Sequence, residues 1–318
     1  MRYTLSSIQG HVLCDIEQDT FEYLLSGKDR LLAWLQVEEV FGYLVEAWCD
    51  MESQIHARCL RSHEASVNVV SLRARFFEDR ATADRLLLNF LSATRMYLEH
   101  LKEKVPMVVG KGTPLATKVV SIRNAYRARK PEFIVADELR NIIQHESHGV
   151  GRIVYSTALL SKPTPFTRVG AYLAIPLDDL SVVVRALEEK AKKSKHKGQR
   201  QRLKTEIDAV KAVATPLELR ETMRHFCADL ADMHEEAREG VRDHVDEAIE
   251  VFAEAYSGEP ITPQGERGVF VRAVDADGSC DREEWIGHAA VDRLGFLRCK
   301  YSGWPRIRDR THGLPPGT

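Results

Sequence analysis

Long stretches with an apolar residue at every third or fourth position run through most of this chain, and that period commits them to helices. The first, within "SGKDRLLAWLQVEEVFGYLVEAWCDMESQIHARCLRS", predicts a helix over residues 28 to 62. "DRATADRLLLNFLSATRMYLEHLKEK" predicts a second, from Ala81 to Lys104, and "LATKVVSIRNAYRA" a third before Lys130. Pro131 suits the first turn of a fourth helix, "PEFIVADELRNIIQHESH", because its missing N–H would be unpaired there anyway; Gly149 suits its end. Helices joined by such short links pack antiparallel, so residues 1–150 are expected to form a helical bundle.

The period then changes. "GRIVYSTALLS" and "TRVGAYLAIPL" flank the turn "KPTPF", which predicts a β-hairpin. "DDLSVVVRALEEK" starts like a helix capped by Asp178 or Asp179, and a long helix or kinked pair follows Thr215 and Pro216. The hairpin and these helices, residues 151–258, are expected to pack on the bundle. Past Gly258 the composition shifts: "EPITPQGERG" reads as a linker, "VFVRAV" as a strand and "GWPRIRDRTHGLPPGT" as a poorly ordered tail, so 259–318 is expected to be a linker and a short irregular C-terminal extension. The expected class is mainly α, an antiparallel helical bundle with a small hairpin after the fourth helix.

Composition excludes several functions. The net charge of -2 over 318 residues rules out a polycation, so any nucleic-acid binding must come from a local patch. No apolar run is long enough to span a membrane, and "MRYTLSSIQGHVLCDIE" lacks a signal-peptide core, so a cytoplasmic protein with no membrane partner is expected. Cys14, Cys49, Cys59, Cys227, Cys280 and Cys299 are scattered with no CxxC pair, which fits reduced cysteines rather than a disulfide or zinc framework. There is no GxxxxGK[ST], GxGxxG or HExxH. The acidic stretch "DADGSCDREE" at 275–284 has its glycine in the wrong register for an EF-hand and reads as a surface turn. Neither a metal nor a cofactor is expected.

The fourth helix carries the chemistry. With Arg140 as origin and 100° per residue, Asn141, Gln144, His145 and His148 fall on an arc of roughly 140°. Val135, Ala136, Leu139, Ile142 and Ile143 lie opposite. Solvated helix faces favour Glu, Lys and Arg, whereas this one concentrates Arg, Asn, Gln and His. The Arg-x4-His spacing alone decides nothing, because Arg58/His63, Arg95/His100 and Arg220/His225 share it. Arg140 alone among the four is followed by asparagine, in "LRNIIQH", near the end of a helix that a hairpin follows.

On these residues the chain resembles the HEPN superfamily, whose motif is an arginine, a polar residue, three further residues and a histidine. "RLLLNFLSATRMYLEHL" also resembles the helix before the motif helix in that superfamily, and the likeness spans residues 20 to 258. The resemblance implies a helical bundle, commonly a homodimer with two motifs in one cleft. Active members are metal-independent endoribonucleases of toxin–antitoxin, abortive-infection and CRISPR-associated systems; inactive ones bind RNA, nucleotides or protein partners. An antitoxin or a defence-system partner is therefore an expected partner class, along with RNA.

The chemistry of RNA makes such a small set sufficient. RNA brings its own nucleophile, the 2′-hydroxyl. A histidine titrating near neutrality moves protons, and an arginine clamps a phosphate in two hydrogen bonds. His145 is assigned as acid or base, Arg140 as phosphate clamp and Asn141 as orienting group, leaving 2′,3′-cyclic phosphate ends. His148, Gln144 and, on the second helix, Asn89 are possible accessory residues, and Arg95 could face the same cleft. The competing reading is a catalytically silent helical module that dimerises, or binds RNA or a partner, through the same face; a nucleotide-modifying enzyme is a third. "KAKKSKHKGQRQRLK", 190–204, contains no acid and no interleaved aromatic; it reads as a phosphate-attracting segment or as a solvated excursion between helices.

Overall fold

The computed structural model describes residues 1–7, 10–65, 72–146, 154–159, 169–174, 176–177, 180–213, 217–255 and 268–302. They form a mainly helical bundle with small antiparallel sheets. The elements in chain order are β1 (Arg2–Ser6), β2 (Val12–Ile16), α1 (Gln18–Ala65), α2 (Leu72–Val109), α3 (Pro114–Arg129), α4 (Pro131–Glu146), β3 (Val154–Leu159), β4 (Val169–Ala174), β5 (Pro176–Leu177), α5 (Ser181–Lys193), α6 (Lys197–Lys211), β6 (Leu217–Glu218), α7 (Leu219–Ala255), β7 (Gly268–Val274), β8 (Cys280–Gly287) and α8 (Ala289–Lys300). The four expected N-terminal helices are present. α1 and α2 outrun their expected ends because the apolar period continues past both. The hairpin forms as β3 and β4, with Ser156 opposite Tyr172. Asp178 and Asp179, the expected caps of α5, lie outside the described residues; the N-cap position is Leu180, which makes no side-chain cap bond.

The chain divides into two compact units. One comprises residues 1–42, 97–121 and 234–302. Its four-stranded antiparallel sheet runs β2-β1-β7-β8, so the region expected to be a linker and extension supplies two strands and α8. Thr113 caps α3 by accepting the Ala116 N–H at 3.1 Å, one residue before Pro114, and Gly110 and Gly112 carry the positive φ that ends α2 and turns the chain. The core of this unit is aromatic and ionic at once. His234 stacks on Phe41 at 3.8 Å between ring centroids, donates from Nε2 to Glu38 at 3.1 Å and accepts from the Tyr97 hydroxyl at Nδ1, also at 3.1 Å. Arg238 closes on Glu38 with two bonds, of 2.8 and 2.6 Å. Tyr301 packs its ring edge-on to Phe41, in space that only a glycine at 42 leaves, since a Cβ there would sit 3.0 Å from that ring.

The other unit takes in residues 43–96 and 122–233. Phe133 of α4 meets Phe226 of α7 edge-on at 4.7 Å, and Phe90 of α2 meets Phe226 likewise at 6.3 Å. The apolar stripe of α4 is buried as its spacing requires: Phe133, Ile134, Val135, Ala136, Leu139, Ile142 and Ile143 are all in the core. Arg220 and Arg224 of α7 both close on Glu52 of α1, and Lys130 pairs with Asp229.

Glu38 sets an acid limit on the first unit. Burial alone would raise its carboxyl, but the His234 and Arg238 donors outweigh that and bring it from 4.5 down to about 2. A carboxyl depressed in the fold stabilises it above the unfolded value and loses that contribution as pH falls through the folded one. Glu38→Gln should therefore cost roughly 3 kcal/mol at neutral pH. The deficit should shrink between pH 4.5 and 2. Denaturant titrations of both proteins across that range test this; a deficit independent of pH would place the role of Glu38 in packing.

Candidate functional site

α4 begins where Lys130 ends α3: Phe133 N–H returns to the Lys130 carbonyl at 3.1 Å, and Pro131 holds the turn. The polar side of α4 is not simply a wet face. Glu138 is only 2% exposed, and the Asp137 side chain 7%. Arg127 of α3, itself 6% exposed, reaches into this acidic pair. It donates from Nη1 to Asp137, from Nη2 to Glu138 at 3.2 Å, and from Nε and Nη2 to the two oxygens of Glu206 on α6 at 3.2 and 2.6 Å. Arg123 adds a bond to Asp137 at 2.5 Å, and Lys190 of α5 closes on Glu138. Arg202 sits 3.5 Å from Glu206. Burial favours the neutral forms of Asp137 and Arg127, yet the charges around them outweigh it. Asp137 is shifted down by Arg123 and Arg127 against the effect of burial, and Arg127 is shifted up by Glu206, Asp137 and Glu138.

This network fixes where the motif residues stand. Asn141 is half-buried and donates to Glu138 Oε2 at 3.3 Å, so Glu138 gathers Arg127, Lys190 and Asn141. Arg140 is half-buried too, and differs from its neighbours in having no carboxylate partner among the described residues; its Nε is buried with no hydrogen-bond acceptor. Two of the other Arg-x4-His arginines are spent on acids. Arg58 pairs with Asp79, and Arg220 grips Glu52 at 2.8 Å while His225 is exposed.

A groove of about 510 Å³ runs between α4 and α5. Arg95, Arg140, Asn141, Arg185, Lys190 and Lys193 line it, with Glu189 as its acid. Arg140 also borders a small cavity of about 40 Å³ with Arg95, Arg123 and Thr94. Of the expected accessory residues, Asn89 is exposed on α2 and lines neither space, whereas Arg95 on the same helix lines both. His145 lies in the last turn of α4, one turn after Asn141; its side chain and that of Gln144 lie outside the described residues, as does all of His148. Arg185 and Arg127 were not among the expected site residues, and Lys190 was singled out only as the first residue of the basic run. The available hint was the adjacent Asp137 and Glu138 on an otherwise basic face, a pair that requires cations from elsewhere.

The arrangement can hold an anion and supply a guanidinium to it. The two arginines of this site carry opposite kinds of load. Arg127→Ala would leave three buried carboxylates without their common partner and should destabilise by about 3–5 kcal/mol. Arg140→Ala removes no ion pair among the described residues and should cost about 1 kcal/mol or less. Urea denaturation of the two variants checks the contrast; equal losses would mean that Arg140 is structural as well.

No group of three or more His, Cys, Asp or Glu that could hold a metal ion occurs among the described residues. Residues 275–279 are the β7–β8 turn, where Asp277 Oδ1 accepts the Ser279 N–H at 3.0 Å and Gly278 takes φ 85°, and 280–284 open β8. No described helix is long and apolar enough to cross a membrane. No family model, no curated protein and no solved structure matches the chain, so the reading of this site rests on its own geometry and chemistry.

Proposed function

We propose that the chain is a metal-independent endoribonuclease of HEPN type, with Arg140, Asn141 and His145 at its centre, acting as a toxin or antiphage effector. The observation that carries this reading is the state of Arg140. It is the motif arginine, it lines a basic groove, and no described acid neutralises it. A guanidinium held in that condition suits a phosphate, which accepts two parallel N–H bonds and gains charge as the 2′-hydroxyl attacks. Arg95, Arg185, Lys190 and Lys193 would hold the neighbouring phosphates, with an affinity that falls as salt rises.

The cleavage step moves one proton off the 2′-hydroxyl and one onto the departing 5′-oxygen. His145 is suited to one of these transfers. Two chains meeting at the ends of their α4 helices would provide both, which is why a homodimer belongs to this proposal. Asn141, tethered to Glu138, orients rather than transfers. The second reading is a catalytically silent module that binds RNA or a partner protein. The groove favours it to this extent: its charge comes from residues that bind phosphate whether or not His145 does chemistry.

His145→Ala and Arg140→Ala should each lower RNA cleavage by roughly 100-fold or more while the fold persists. His100→Ala and His225→Ala should leave cleavage unchanged. Products should carry 2′,3′-cyclic phosphate, and a chelator should have no effect. Wild-type protein that binds RNA through Arg140 yet never cuts it would establish the silent module instead.

A further inference from the structure

The basic run at 190–204 is not an excursion. It spans the end of α5, a turn of three residues and α6, and it borders a second pocket of about 540 Å³. That volume lies in the range of small-molecule sites. Six cations line it: Arg123 and Arg127 from α3, Lys190 and Lys193 from α5, Lys195 from the turn and Arg202 from α6. Glu138 is the only acid among the described residues of the lining. Arg127, Arg123 and Lys190 are bound to the carboxylate network, which makes a rigid floor.

The rim is different. Lys193 and Lys195 have no carboxylate partner among the described residues, and Arg202, 3.5 Å from Glu206, spends another donor on the neutral Asn124 at 3.0 Å. Arg123 Nε is a buried donor with no acceptor. His196, the N-cap residue of α6, belongs to this lining, and α6 starts with no side-chain cap bond and no acid in its first turn, which leaves the positive end of its dipole unneutralised there. Like charges gathered this way repel one another until an anion enters. Leu203 is the one apolar side chain in the lining, and no Phe, Tyr or Trp is present to stack a base.

We propose that this pocket is a binding site for a small ligand carrying two or more adjacent phosphate groups; it adjoins the Arg140 groove and shares Lys190 and Lys193 with it, and it does not depend on whether that groove cuts RNA. Several cations spread over three helices match several phosphates better than one. Occupancy has a built-in consequence. A phosphate near Lys190 competes with Glu138 for that ammonium, and Glu138 is the carboxylate that tethers Asn141.

Calorimetric titration of the full chain with inorganic tripolyphosphate at low salt, beside ATP and adenosine, tests the site. One tripolyphosphate per chain should bind, and adenosine should not. ATP binding equally assigns the phosphate chain as the recognised part, and ATP binding more tightly assigns a nucleotide; both support the proposal. Lys195→Ala combined with Arg202→Ala, both exposed, should weaken binding by about tenfold or more. Arg185→Ala, which touches only the other groove, should leave it unchanged. On the unmodified sequence, saturating tripolyphosphate should slow acetylation of Lys195 and spare exposed Lys111. Absence of saturable binding and of protection overturns the proposal. So does equal weakening by Arg185→Ala, or a response confined to an RNA oligonucleotide.

Discussion

A single guanidinium determines how α4 can be buried. Helix α4 puts an apolar stripe into the core but also turns Asp137 and Glu138 inward, and α6 contributes Glu206 from the other direction. Three carboxylates out of water are tolerable only if their lone pairs are filled, and Arg127 fills all three with one planar fork. Such a network adds little net stability compared with apolar residues of the same size. Its effect is geometric. A planar fork facing three acids fixes α4 against α3 and α6, and the Lys190 bond to Glu138 then sets where α5 lies. The groove beside Arg140 is a by-product of that arrangement.

The helices were legible because their signal is local. A period of 3.6 residues is written in neighbouring positions, and α4 buries the very stripe its spacing marks. The placement of Arg140 and Asn141 beside that stripe, half-buried on α4, was legible for the same reason. Arg127 was not. Its partner Glu206 lies 79 positions away, and nothing near Arg127 distinguishes it from Arg123 or Arg129. The residues at 190–204 were read as binding segment or solvated excursion, two readings that composition cannot separate; only the packing of Leu203, Ile207 and Val210 makes them helix and rim together. The short strands escaped as well. "RYTLS" and "VLCDI" are too brief to show alternation, whereas "VFVRAV", read as a strand, forms most of β7.

Those strands carry a consequence for the way the chain comes off the ribosome. Residues 2–6 pair with 270–274, so β1 has its second neighbour only when nearly all of the described chain has been made. The turn between β1 and β2 closes early, because its partners are adjacent in sequence. The other edge of β1 must stay open, a row of unpaired N–H and C=O groups of the kind that templates wrong pairing. At ordinary synthesis speeds the wait is roughly tens of seconds. α1 emerges next and can begin to cover the hairpin, with Phe21 already packed on Tyr3 at 4.9 Å in the finished fold. The unit that holds β1 is thus completed only after β7 has been made, and until then the β1–β2 hairpin presents an unfinished edge.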